Sequence, residues 1–127
     1  MLLLILFVLF YIFIEQKNIK VTADDLVQSY IANPKKADKK YLDKNIEITG
    51  QVKSFYEFEG EKNILALQIA DEKIVVYCLL MNKQVEDKVK TLTSSNEITV
   101  IGKCLGINPP SAEKFPESIY IEAEKIK

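Results

Sequence analysis

Asn33–Val52 reads NPKKADKKYLDKNIEITGQV. Five lysines crowd its first twelve residues, and after Asn45 the pattern becomes strictly alternating. Ile46, Ile48, Gly50 and Val52 form one set; Glu47, Thr49, Gln51 and Lys53 form the other. A side-chain period of two, apolar against polar, is the mark of a half-buried strand. Gly50 in mid-strand suggests a bulge or sharp bend, as where a strand coils around a small barrel. The stretch therefore reads as a basic helix entering a strongly curved strand.

Upstream, VTADDLVQSYIAN (Val21–Asn33) reads as a short amphipathic helix. Thr22 is a suitable N-cap and Asp25 follows three residues on, a variant of the capping box. Leu26 and Tyr30, and Val27 and Ile31, are four apart and share a face. Asn33 can cap a second helix, with Pro34 at its first position. That helix runs Lys35–Tyr41, with Ala37 and Tyr41 inward and its lysines toward solvent.

Downstream, a turn spans about Glu57–Lys62. A second strand covers Ile64–Ala70 and a third Ile74–Met81, joined by Asp71-Glu72. Asn82 caps the helix KQVEDKVKTL, with Val85, Val89 and Leu92 on one side. Strand four is Glu97–Leu105, where Gly102 mirrors Gly50. The loop GINPPSAEKFPES leads to strand five, Ile119–Lys125. No internal repeat, low-complexity tract or second domain stands out.

Three strands, a helix and two further strands is the order of the OB-fold, a mainly β five-stranded Greek-key barrel, here preceded by short helices. The motifs agree. Thr22, Ala23, Leu26, Tyr30, Asn33, Ala37, Asp38, Tyr41, Lys44, Gly50 and Val52, with NEITVIGKCLG downstream, resemble the tRNA_anti-like family of OB-fold domains. The resemblance covers about Val21–Lys127. It departs at Pro34, where the family often has an acidic residue, a change a helix start tolerates. It implies the barrel and an envelope location, since members are mostly small exported or membrane-attached proteins of unassigned function.

Composition narrows the function. The formal net charge is −1, with 17 Lys and Arg residues against 18 Asp and Glu. All 17 of the basic residues are lysine. Nucleic-acid binders usually carry a basic excess, because counterion release drives their affinity. Without Arg there is no guanidinium fork for phosphate or guanine. Without His the usual general base near neutral pH is missing, and two cysteines cannot complete a four-thiolate zinc site. No enzyme activity, metal or cofactor is expected. Asp24-Asp25, Asp71-Glu72 and Glu86-Asp87 fall at a helix start, a turn and a helix surface, where local structure explains them.

Met1–Ile14, MLLLILFVLFYIFI, is apolar all round. At ~1.5 Å rise per residue it gives roughly 21 Å of helix, against a hydrocarbon core of ~30 Å. A cleavable signal needs a basic lead and a small-residue site, and neither is present. An uncleaved membrane anchor over residues 1–14 with a linker over 15–20 is expected, leaving the domain at 21–127. Lys17 and Lys20 after the run, read literally, would hold the domain in the cytoplasm. A basic lead ahead of Met1 would reverse this, and the extracytoplasmic side is the expectation here.

Two clusters are candidate sites. Lys35, Lys36, Lys39, Lys40 and Lys44, offset by Asp38 and Asp43, carry a local +3, either a phosphate or anionic-lipid patch or a solvated helix face. Alternation puts Tyr56 and Phe58 inward with Val52 and leaves Phe55 outward. Phe55 and Tyr77, with Asn108 and Phe115 from the long loop, would form a platform on the face OB-folds use for ligands. The expected function is a membrane-anchored binding module for an envelope protein, peptide or glycan. The alternative is a single-stranded nucleic-acid binder. Cys78 and Cys104 should both point inward, with strand five between them, as buried thiols.

Overall fold

The computed structural model describes residues 5–6, 18–71, 73–108 and 117–127. Asn45–Tyr56 forms β2, Ile64–Gln68 β3, Ile74–Leu80 β4, Glu97–Asn108 β5 and Glu117–Ile126 β6. Ahead of them lie a short strand β1, Ile19–Thr22, and two helices, α1 (Ala23–Ala32) and α2 (Pro34–Tyr41). A third helix, α3, spans Lys83–Lys90 between β4 and β5. The sheet order is β1-β2-β3-β4-β6-β5, and β5 returns to pair with β2. This closes a five-stranded OB-type barrel, with β4 and β6 parallel and the other barrel pairs antiparallel.

β2 holds the barrel shut by serving two neighbours. Asn45–Gln51 pairs with β5, and Gln51–Tyr56 pairs with β3. Between the halves the β3 register slips: Val52 faces Leu67, Ser54 faces Ala66, and Lys53 is left over. This bulge lies three residues beyond Gly50, the position at which the sequence suggested a bulge or bend. The Thr93–Asn96 turn secures it. Val52 N donates to Asn96 O at 2.8 Å, and Ser95 N donates to Val52 O at 2.9 Å.

All three caps occur where expected. Thr22 Oγ1 accepts from Asp25 N at 3.1 Å, Asn33 Oδ1 from Lys36 N at 3.1 Å, and Asn82 Oδ1 from Val85 N at 3.0 Å. Leu26, Val27 and Tyr30 of α1 and Ala37 and Tyr41 of α2 are buried, whereas Ile31 is 45% exposed. Ile31 therefore departs from the face it was expected to share with Val27. Tyr30 OH donates to Asp38 Oδ1 at 2.8 Å and joins the two helices. Gly106 of β5, at φ +79°, lies against this pair; a Cβ there would come 3.0 Å from Leu42 and 3.3 Å from Asp38 Oδ1. Helices and barrel share one core that includes Ile46, Ile48, Leu65, Leu67, Val76, Val100, Ile119 and Ile121. Burying each such side chain contributes roughly 1.5–3 kcal/mol.

The N-terminal side differs from the expectation. Ile19 and Lys20, expected in a linker, begin β1, which runs parallel to β2 with Ile19 opposite Ile46 and Thr22 opposite Thr49. β1 occupies the edge of β2 that the shorter β3 leaves unpaired, so hydrogen-bonding backbone is satisfied there. The apolar run at residues 1–14 lies outside the described residues, apart from Ile5 and Leu6, which are helical and exposed. Among the described residues no helix is long and apolar enough to cross a membrane.

At Gly102 the β6 backbone lies close against β5. A Cβ there would collide with the backbone carbonyl of Glu122, which has no flexible end to move aside. Gly102→Ala is expected to lower the unfolding free energy by about 2–4 kcal/mol, read from urea or thermal melts. Gly60, at φ +73° in open space, should cost only about 1 kcal/mol on the same substitution.

Candidate ligand-binding face

The bulge in β2 decides which aromatic rings meet solvent. Past the leftover Lys53, alternation resumes in the opposite phase. Phe55 now pairs with buried Leu65 and packs on the core. Tyr56 turns outward and is 44% exposed, and Phe58 is 42% exposed. Both assignments reverse the expectation from uninterrupted alternation, which set Phe55 outside and Tyr56 and Phe58 inside.

On the outside of β2, β3, β4 and β6, cross-strand partners line up in ranks. Ser54 faces Ala66, Ala66 faces Tyr77, and Tyr77 faces Tyr120. The Tyr77 and Tyr120 rings lie 5.7 Å apart at 46°, a tilted contact. The next rank is Tyr56, Ile64, Leu79 and Glu122. On the other side Val75 faces Ser118, which faces Asn108. Leu105 and Gly106 oppose Tyr120 at a second register shift. The result is a band with half-buried Tyr77 and Tyr120 at its centre and exposed Tyr56 at one margin. Ser54 Oγ, buried in the tyrosine rank, is the one buried side-chain polar atom among the described residues that lacks a hydrogen-bond partner.

Tyr77 thus stands on the expected face, and Asn108 in the adjoining rank. Phe55 belongs to the core. Phe115 lies outside the described residues. Tyr120 was not singled out in the sequence, although Tyr120 and Glu122 alternate with buried Ile119, Ile121 and Ala123. That alternation was the available signal. The parallel pairing that brings Tyr120 to Tyr77 left none.

Lys35, Lys36, Lys39 and Lys40 sit on α2, all exposed. Lys36 and Lys40 line a cavity of ≈ 300 Å³ with Ser29, Asn33 and Tyr41, and no tyrosine of the face borders it. Lys40 Nζ lies 5.3 Å from the Tyr41 ring centroid. Lys44 Nζ donates to the Lys39 carbonyl at 2.8 Å, as a basic residue at a helix C-terminus does. The lysines and the tyrosine face are two separate surfaces.

Burial raises four ionisable groups of the barrel and its face above their ordinary values. Burial raises the Tyr77 phenol, and nearby Tyr56 and Tyr120 raise it further. Burial, then the bond to Asp38, raises Tyr30. Burial pushes the Cys78 thiol up to about 12. Burial also raises Cys104, against bonds from Gly106 and Tyr30 that lower it. Both cysteines are free, and Ile121 of β6 faces each, so β6 separates them as expected. Among the described residues no group of three or more His, Cys, Asp or Glu could hold a metal ion. Rings, hydroxyls and amides of this kind bind and orient a ligand.

The barrel and its outer face define an OB-type domain. The chain belongs to the tRNA_anti-like family, whose sequence profile matches residues 2–111. No curated protein matches it in sequence. Among solved structures it is similar to a provisionally assigned aspartyl-tRNA synthetase from Leishmania major Friedlin. The identity is 14% and the TM-score 0.57, over 87% of this chain and 20% of that one. The chain therefore spans about a fifth of that synthetase. It is also similar to a provisionally assigned nucleic acid-binding lipoprotein from Klebsiella pneumoniae, at 14% identity and TM-score 0.52, over 81% and 87% of the two chains. A third likeness is to an OBody bound to hen egg-white lysozyme, at 11% identity and TM-score 0.50, over 68% and 82%. At these identities the likeness is one of fold.

The thiols give a direct check on the core. A thiolate is the reactive form, and both pKa values lie above the ordinary value. An alkylating reagent at mildly alkaline pH should leave both cysteines unmodified in the folded protein and label both in denaturant. The raised pKa also sets a sign for stability. The Cys78 contribution is present below the ordinary value of 9.0 and is lost as pH rises toward about 12. Urea midpoints should therefore fall across that window.

Proposed function

We propose that this protein is a non-enzymatic binding module whose ligand, a protein, peptide or glycan, lies across the tyrosine face at the cell envelope. The observation that carries this is the outward rank of Tyr77 and Tyr120 with Tyr56 beside it, on the face through which OB-folds engage ligands. Tyrosine offers a large, rigid ring with a polar tip, which suits recognition of chains and sugars. The OBody that this chain is similar to in fold is bound to a protein, hen egg-white lysozyme. The apolar run Met1–Ile14 supports attachment to a membrane, and an anchored module would meet envelope polymers.

A second reading is a single-stranded nucleic acid ligand, with bases stacked on the same rings. The likeness to the Klebsiella lipoprotein, which covers most of both chains, favours it. The net charge of −1 and the lack of Arg weigh against it.

A panel of oligosaccharides, synthetic peptides and single-stranded oligonucleotides, titrated by calorimetry, separates the two. A protein, peptide or glycan hit should bind the wild type and lose about tenfold or more in Tyr77→Ala or Tyr120→Ala, since ring contacts contribute roughly 1–3 kcal/mol. Lys36→Gln with Lys40→Gln should leave it unchanged. Oligonucleotide binding that weakens steeply with salt and needs those lysines would establish the second reading instead.

A further inference from the structure

The tyrosine face has a charged surround of one prevailing sign. Tyr56 leads directly into the β2–β3 loop, Glu57–Asn63, whose Glu57, Glu59 and Glu61 are all exposed. Phe58 N donates to Asn63 Oδ1 at 3.0 Å and folds that loop back on itself. Glu122 stands in the same rank as Tyr56 and Leu79. Below the tyrosines, where β1 and β3 end against β2, a groove of ≈ 430 Å³ is lined by Gln51 and Gln68 with Asp24 and Glu97, and among the described residues no lysine borders it. Gln51 faces both Gln68 and Glu97 across its two ladders, so this groove belongs to the same outer surface.

Among the described residues, three lysines stand against these six carboxylates. Lys53 is the bulge residue, Lys62 donates to the Met81 carbonyl at 3.3 Å, and Lys103 faces Glu122 across β5–β6. Of the described residues in the β3–β4 turn, Asp71 and Lys73 carry opposite charges. The surround is thus acidic by about three charges, while the chain's densest basic cluster lies elsewhere, on α2. A polyanion stacked on Tyr77 and Tyr120 would sit among carboxylates and away from the lysines. A cation there has both partners it needs: the negative face of an aromatic ring and a nearby carboxylate.

We propose that the tyrosine face takes an extended polypeptide segment rich in Lys or Arg, its cations set over Tyr56, Tyr77 and Tyr120. Charges beyond the rings reach Glu57, Glu59, Glu61 and Glu122 on one side and the Asp24–Glu97 groove on the other. This rests on the reading of that face as the ligand surface, and it deepens that reading by naming the ligand's charge and class.

The test uses the full chain in mild detergent with isotope-labelled amides and four probes of equal length. The probes are a peptide alternating Lys with Ser, its Gln counterpart, its Glu counterpart, and single-stranded oligothymidylate. The Lys peptide should shift the Ala66, Tyr77 and Tyr120 amides and bind ~10-fold or more tightly than the Gln peptide, a gap that closes with added salt. Combining Glu57→Gln, Glu59→Gln, Glu61→Gln and Glu122→Gln should bring the Lys peptide down to the Gln level. These side chains are outside the core, and an unchanged melting temperature would show that the fold is intact. Equal binding of Lys and Gln peptides, or shifts of the face by oligothymidylate or the Glu peptide, would overturn the charge inference and leave the face standing. Shifts confined to α2 with every probe, or no shift with any, would overturn the face itself.

Discussion

One leftover residue in β2, Lys53, sets the rest of the structure. A strand that kept its phase from Ile46 to Tyr56 would put Ser54 and Tyr56 into the core and Phe55 in water. The slip between Val52 and Ser54 lets the strand change partners from β5 to β3 while presenting apolar side chains to the same interior. Bulges bend strands and raise local twist, which a five-stranded barrel needs in order to close. The Thr93–Asn96 turn accepts and donates at Val52, so the slip occurs without stranding its backbone groups. The same slip turns Tyr56 outward and completes the tyrosine band.

Around that constraint the molecule divides its labour by chemistry. The interior is closed to charge: its two thiols and the Tyr30 phenol are held protonated by burial. The α1–α2 pair is fixed to β5 through Tyr30, Asp38 and the tight approach at Gly106. Polar and aromatic groups that could meet a ligand lie on the outside of β2, β3, β4 and β6. The densest lysine cluster lies on α2, a short helix with its own cavity. A nucleic acid strand stacked on the tyrosines would not meet that cluster along the same path.

Much of this was legible in the sequence because it is local. Thr22, Asn33 and Asn82 cap helices through bonds to residues three positions on, and composition at those positions reveals them. The five barrel strands, their order and the inward cysteines followed from alternation, turns and the family resemblance. The features that escaped are those local pattern cannot encode. β1 is four residues long and gains its identity from pairing with residues 27 positions later. The Lys53 slip is a phase change, and alternation assumes a constant phase, so Phe55 and Tyr56 exchanged sides. Tyr120 reaches Tyr77 only through the parallel pairing of β4 and β6. Tyr77 itself was placed on the right face because β4 carries no irregularity: its pattern alternates from Ile74 to Leu80 without a break.

The most direct test is a nuclear Overhauser measurement on the aromatic rings of the folded chain. Contacts are expected between the Phe55 ring and the core methyls around Leu65, and between the Tyr77 and Tyr120 rings, with the Tyr56 ring showing none to the interior. Contacts from Tyr56 to core methyls, with Phe55 free of them, would mean that β2 runs without its bulge and that the tyrosine band does not exist in this form.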